Sequence, residues 1–215
     1  MKAWESRVEN IDWRTLLSRY KPGLATPKDF GSHFKLILHR AFFTNPHNPN
    51  ASSIYCRACK TERESIAHFG KCNRLKPIFE FMRKFDDGKA WDDVRMNLFG
   101  VNDMKGVVPE GTSTLHFMLW KHTLIQLTLA SLRGTDIDPF EIIDRAVLRL
   151  LKRIRTMEYE ITCAYCQSQS RGAEVNLEKF KKRIRGIGVV DDNGNTILHH
   201  ELQQALKIAR QLQTP

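Results

Sequence analysis

Apolar residues recur along most of this chain at three- and four-residue spacing, the period of helices that turn one face to a core. Trp13, Leu16 and Leu17 begin the pattern and predict a short helix that stops near Lys21-Pro22-Gly23. From Phe30 to Phe43, an apolar stripe of Phe34, Ile37, Leu38 and Ala41 faces away from Lys35, His39 and Arg40, predicting a second helix. The stretch from Thr44 to Ser53 holds Pro46, Pro49 and three Asn, a composition of turns. After Cys72, the series Leu75, Ile78, Phe79, Met82 and Phe85 predicts a third helix with Pro77 in its first turn, ended by Asp86-Asp87-Gly88. Residues 86–111 are broken by Gly and Pro, and are expected to form a long surface connection with one short helix around Trp91 to Leu98.

The second half is patterned more strongly. Leu115, Met118, Leu119, His122, Ile125 and Leu129 predict a long helix stopping at Arg133-Gly134. Asp138 as N-cap, Pro139 at the first helical position and Glu141 closing a capping box then start another. Its stripe is Phe140, Ile143, Val147, Leu150, Leu151, Ile154 and Ile161, and so short a link predicts an antiparallel helical hairpin. Beyond the polar break from Gln167 to Gly172, Val189-Val190, a turn at Asp191 to Asn195, and Thr196-Ile197-Leu198 predict a two-stranded hairpin, followed by an amphipathic helix from His200 to Gln213. The string from Asn193 to His199 resembles the opening of an ankyrin repeat, but one copy cannot build the stacked solenoid that buries such a repeat.

Cysteine placement changes the picture. Of five Cys, Cys56 and Cys59 stand two residues apart in a polar loop, and His68 and Cys72 follow with four-residue spacing, expected to share one helix face. All four lie within 17 residues, and a Cys3His set leaves no open coordination position, so one structural Zn2+ is expected and metal-assisted hydrolysis is not. The spacing from Cys59 to His68 excludes a retroviral-type zinc knuckle. Cys163 and Cys166 lie toward a helix end and read as reduced thiols; joining them to His199 and His200 in a second metal site is the weaker alternative. Asp86-Asp87 and Asp92-Asp93 read as helix caps and not as a two-metal nuclease site. No glycine-rich phosphate loop, nucleophile elbow or His-Glu-x-x-His is present, so no enzyme activity and no small-molecule substrate are expected.

Around the ligands, His39-Arg40-Ala41, Cys56-x-x-Cys59, Glu64-x-x-x-His68-x-x-x-Cys72 and the helix with Leu75 and Phe79 resemble the zinc-binding region downstream of the polymerase in non-LTR retrotransposon reverse transcriptases. The likeness covers about residues 30–85, and Trp120-Lys121 resembles a Trp-Lys pair that follows the zinc segment in that family. It implies a role in binding RNA or a DNA target. A polymerase palm with its Tyr-x-Asp-Asp motif is missing from the sequence, so the chain is expected to be either a fragment of a retroelement polyprotein or a descendant put to another use.

Charge agrees with such a partner. With 34 Lys and Arg against 24 Asp and Glu, the net charge of +10 attracts polyanions through counterion release. The cations expected to contact phosphates are Arg57, Lys60, Arg63 and Lys71 around the metal ligands, Arg145, Arg149, Lys152 and Arg153 on the long second helix, and Lys179, Lys181, Lys182, Arg183 and Arg185 in the densest cluster. No apolar run of the ~18 residues needed to span a membrane exists. Acidic residues near the start and thiols without a disulfide pattern suit an intracellular, reducing compartment, either nucleus or organelle.

The expected architecture is mainly α. It comprises a zinc-organised helical subdomain over 1–88, a connection over 89–111, an antiparallel helical hairpin over 112–170, and a basic segment, small β-hairpin and terminal helix over 171–215. The expected function is non-catalytic nucleic-acid binding, RNA before DNA, by a zinc protein of retroelement descent. The alternatives are an architectural subunit of a large ribonucleoprotein, such as an organellar ribosome, and a small metal-dependent nuclease.

Overall fold

The computed structural model of the protein describes residues 13–18, 25–38, 53–83, 91–100, 110–171, 188–190 and 196–198. These residues are mainly helical: α1 (Trp13–Ser18), α2 (Pro27–Leu38), α3 (Ile66–Phe69), a 3-10 turn (Asn73–Leu75) leading into α4 (Lys76–Arg83), α5 (Val94–Phe99), α6 (Glu110–Arg133) and α7 (Pro139–Arg171). Strand β1 (Gly188–Val190) pairs antiparallel with β2 (Thr196–Leu198). The terminal helix, the basic segment over 179–185 and the turn at 191–195 lie outside the described residues, as do Phe85 to Gly88. No helix among the described residues is long and apolar enough to cross a membrane.

The centre of the fold is α6. Every residue from Thr114 to Trp120 is buried, which a helix achieves only when neighbours surround it. Helix α2 packs on one side of it and α7 on another. The simple stripe expected for α6 is therefore corrected: Ile125 is exposed, while Phe117, Thr123 and Leu127 are buried. Other faces also turned out differently. Phe34 is exposed and Leu36 and His33 are buried in α2; Leu17 and Phe140 are exposed as well.

Capping explains where α7 starts. The Phe140 N–H donates to Asp138 Oδ1 at 2.9 Å, but Glu141 does not close a capping box. Its carboxylate accepts from Gln126 Nε2 at 3.2 Å and pairs with Arg145, because the adjacent helix α6 offers a donor nearby.

The expected surface connection contains α5, and there the expectation is corrected: Met96, Asn97, Leu98 and Phe99 are buried. Asp93 caps this helix by accepting from the N–H groups of Arg95 and Met96. Asn97 is fully buried and joins three elements. Its amide donates to the carbonyls of Gly70 and Trp91, both at 2.6 Å, its Oδ1 accepts from Arg83, and its carbonyl accepts from Trp120 Nε1 at 2.6 Å. One buried cluster runs from Leu16 and Leu36 through Phe79 and Phe99 to Leu119, Val147 and Ile154, so residues on both sides of the 89–111 connection share a core.

A buried carboxylate ties α2 to the two long helices. Asp29 Oδ1 accepts from Lys121 Nζ at 2.8 Å and faces Arg149 Nε at 3.6 Å, while Oδ2 accepts from the Thr26 hydroxyl and N–H. Burial alone would raise the Asp29 pKa, but the Lys121 ammonium and the two Thr26 donors outweigh it and hold the carboxyl below its usual 3.8.

Candidate metal centre

Two short pieces of backbone bring the ligands together. From Ile54 to Glu64 the chain doubles back: the Cys56 N–H donates to the Glu62 carbonyl at 2.7 Å and the Glu64 N–H to the Ile54 carbonyl at 2.9 Å, with Tyr55 bridged to Arg63. The turn between them is closed by the Lys60 N–H donating to the Cys56 carbonyl at 2.8 Å, and Lys60 takes the left-handed φ of 63°. Cys56 and Cys59 sit at opposite ends of this turn.

The second piece starts at Ser65, whose hydroxyl accepts the His68 N–H at 3.0 Å and so caps α3. That helix ends at Phe69, and Cys72 lies beyond it with extended backbone, φ −67° and ψ 123°. His68 and Cys72 therefore do not share one helix face as expected; a turn through Gly70 and Lys71 carries Cys72 back to the site. Gly70 lets that turn lie close to α5: a Cβ added there would meet Val94 Cγ1 at 2.9 Å and Leu98 Cγ at 3.0 Å, so a larger residue would push those side chains aside.

The ligand atoms of Cys56, Cys59, His68 and Cys72 all lie within 4.8 Å of one another. Cys56 Sγ stands 4.0 Å from Cys72 Sγ, and Cys59 Sγ 3.4 Å from His68 Nε2. A tetrahedral ion with metal–sulfur bonds of about 2.3 Å places its sulfurs about 3.8 Å apart and its sulfur and nitrogen about 3.6 Å apart, so the donor set can hold one metal ion. Cys56, Cys72 and His68 are buried and Cys59 half-buried.

Outer partners orient these groups. His68 Nδ1–H donates to Glu62 Oε2 at 3.1 Å, which turns Nε2 toward the three sulfurs. The Ala58 N–H donates to Cys56 Sγ and the Thr61 hydroxyl to Cys59 Sγ, both at 3.3 Å. Glu64 is buried beneath the turn and accepts from Arg57 Nε, Nη2 and backbone N–H at 2.8–3.2 Å. Arg57, one of the cations expected near phosphates, is thereby engaged with Glu64. Its side chain is 11% exposed and clamps a carboxylate that burial would otherwise leave unneutralised.

Protons in the metal-free site are shared unequally. The hydrogen bond with Cys72, followed by burial, pushes the Cys56 thiol up to about 12, and the same contact lowers Cys72. Burial raises Cys59, but the Thr61 hydroxyl and the N–H groups of Glu62 and Thr61 outweigh it and leave the thiol lowered. His68 is raised to about 9, chiefly by its hydrogen bond with Cys56, against the opposing effect of burial.

Lys60, Arg63 and Lys71 are exposed around the centre, as are Arg145, Arg149 and Lys152 on α7, with Arg153 half-buried. Arg145 pairs with Glu141 and Arg149 with Asp29. The cations at 179–185 and the histidines at 199 and 200 lie outside the described residues, and nothing of the Cys163 and Cys166 side chains is described. Sequence reading missed Glu62 and Asn97, which have no periodic or motif signal, and it gave Trp120-Lys121 only a family likeness. Their partners are Asn97 and Asp29, so the pair joins α6 to α5 and α2.

Comparison with family models, with curated proteins and with solved structures gave no match to this chain.

Proposed function

We propose that the chain is a non-catalytic nucleic-acid-binding protein, RNA before DNA, whose Cys56, Cys59, His68 and Cys72 hold one structural Zn2+. Three thiolates and an imidazole suit zinc, and a closed set of four protein ligands leaves it no water to activate. The ion's task is to fix the turn that presents Lys60, Arg63 and Lys71. The zinc-organised subdomain over 1–88, the antiparallel hairpin over 112–170 and the small β-hairpin belong to the same reading. Retroelement descent rests on the motif spacing within residues 30–85 alone.

One observation carries the nucleic-acid assignment. Between residues 145 and 157, α7 carries Arg145, Arg149, Lys152, Arg153 and Arg155 and no acidic residue. Among the described residues, Lys152, Arg153 and Arg155 have no carboxylate partner. These three cations repel one another on one stretch of helix, and a polyanion offsets that repulsion.

A mobility-shift titration of the zinc-loaded chain with RNA and with DNA tests this. Binding at low salt, falling steeply as salt rises, is the expected result; no retardation of either polymer at low salt contradicts it.

A further inference from the structure

On the outer side of α7, Leu148, Leu151, Lys152, Arg155, Thr156 and Tyr159 line an open concavity of about 600 Å³. Their three- and four-residue spacing puts them on one helix face. Leu148 is 51% and Tyr159 71% exposed, large values for apolar groups, and they stand at opposite ends of this face. The cations between them, Lys152 and Arg155, are exposed and without an ion pair among the described residues.

A largely exposed aromatic ring beside exposed cations matches a ligand that offers flat faces and negative charges together. A duplex presents its phosphates but hides its base faces in the stack; a single strand presents both. From Lys152 to Tyr159 the helix rises about 10 Å, the length of about three stacked nucleotides at roughly 3.4 Å each. An aliphatic floor alone would suit a protein helix equally well, but Tyr159 and the charge of the rim favour the nucleic acid.

Resting on the nucleic-acid reading above, we infer that this face of α7 binds single-stranded nucleic acid, with a base stacked on Tyr159 and neighbouring phosphates on Lys152 and Arg155. Specificity for unpaired strands then comes from the ring, and the salt dependence from the cations.

Fluorescence anisotropy of the zinc-loaded full chain with labelled oligouridylate about 12 nucleotides long, and with the duplex it forms with oligoadenylate, tests the inference. The single strand is expected to bind about tenfold more tightly than the duplex. Tyr159→Ala should lose about tenfold on the single strand only, and Tyr159→Phe, which keeps the ring, should restore it. Replacing Lys152 and Arg155 by Gln together should reduce the salt slope by about 1.4. Equal affinity for strand and duplex, or a Tyr159→Ala protein that binds the strand unchanged, overturns the inference while leaving nucleic-acid binding intact. Binding of neither polymer at low salt overturns both readings. Capture of an acidic amphipathic peptide in place of either oligomer gives the face to a protein partner and likewise overturns it.

Discussion

At the residue scale the centre depends on groups that touch no metal. Glu62 accepts from His68 Nδ1 and fixes which ring nitrogen faces the sulfurs, so Glu62→Ala should weaken zinc affinity by about 10- to 100-fold with the helix content unchanged, measured by competition with a chromophoric chelator. The proton balance gives a second expectation. At neutral pH both Cys56, near 12, and His68, near 9, carry a proton in the metal-free site that an ion must displace. Zinc uptake near pH 7 should therefore release at least two protons, and apparent affinity should rise with pH, as read by calorimetry in buffers of different ionisation enthalpy. Cys56, Cys59, His68 and Cys72 were legible from spacing alone because ligand chemistry restricts residue type and separation. The Arg57–Glu64 clamp was not, because a charged residue in a loop reads as solvated until the fold buries its partner.

At the element scale, the helices that pack on one side followed their periodicity, as α4 does with Ile78, Phe79 and Met82 buried. Those with neighbours on several sides did not. In α6, burial continues through Thr114 to Trp120 regardless of phase, and in α5 the chain is too short and too rich in breakers nearby to show a period. Asn97 is the joint between these elements and the metal turn. Asn97→Ala removes the partner of the Gly70 and Trp91 carbonyls and of Arg83, and should cost about 2–4 kcal/mol in urea unfolding. Asn97→Asp keeps the acceptor for Arg83 but not the two donors, and should not recover the loss.

At the scale of the whole molecule, three helices meet at Asp29, and its ionisation links their packing to pH. Because the folded protein holds this carboxyl below 3.8, its stabilising effect is complete above that value and is lost as pH falls through the lowered one. Asp29→Asn should therefore reduce stability most near neutral pH, with the deficit shrinking as urea titrations move from about pH 7 to about pH 3. Neither this tie nor the shared core was visible in the sequence, since Asp29 and Lys121 lie 92 residues apart. The Cys3His cluster organises one corner of a fold whose core is hydrophobic, and the proposed zinc site is closed by four protein ligands. The most direct measurement is a Co2+ titration of the metal-free chain followed by its visible absorption. One equivalent should be taken up with the intense bands of a tetrahedral thiolate site, and Cys56→Ser or Cys72→Ser should abolish them. No uptake, the weak bands of an octahedral ion, or a tetrahedral site that survives both substitutions would contradict the proposed site.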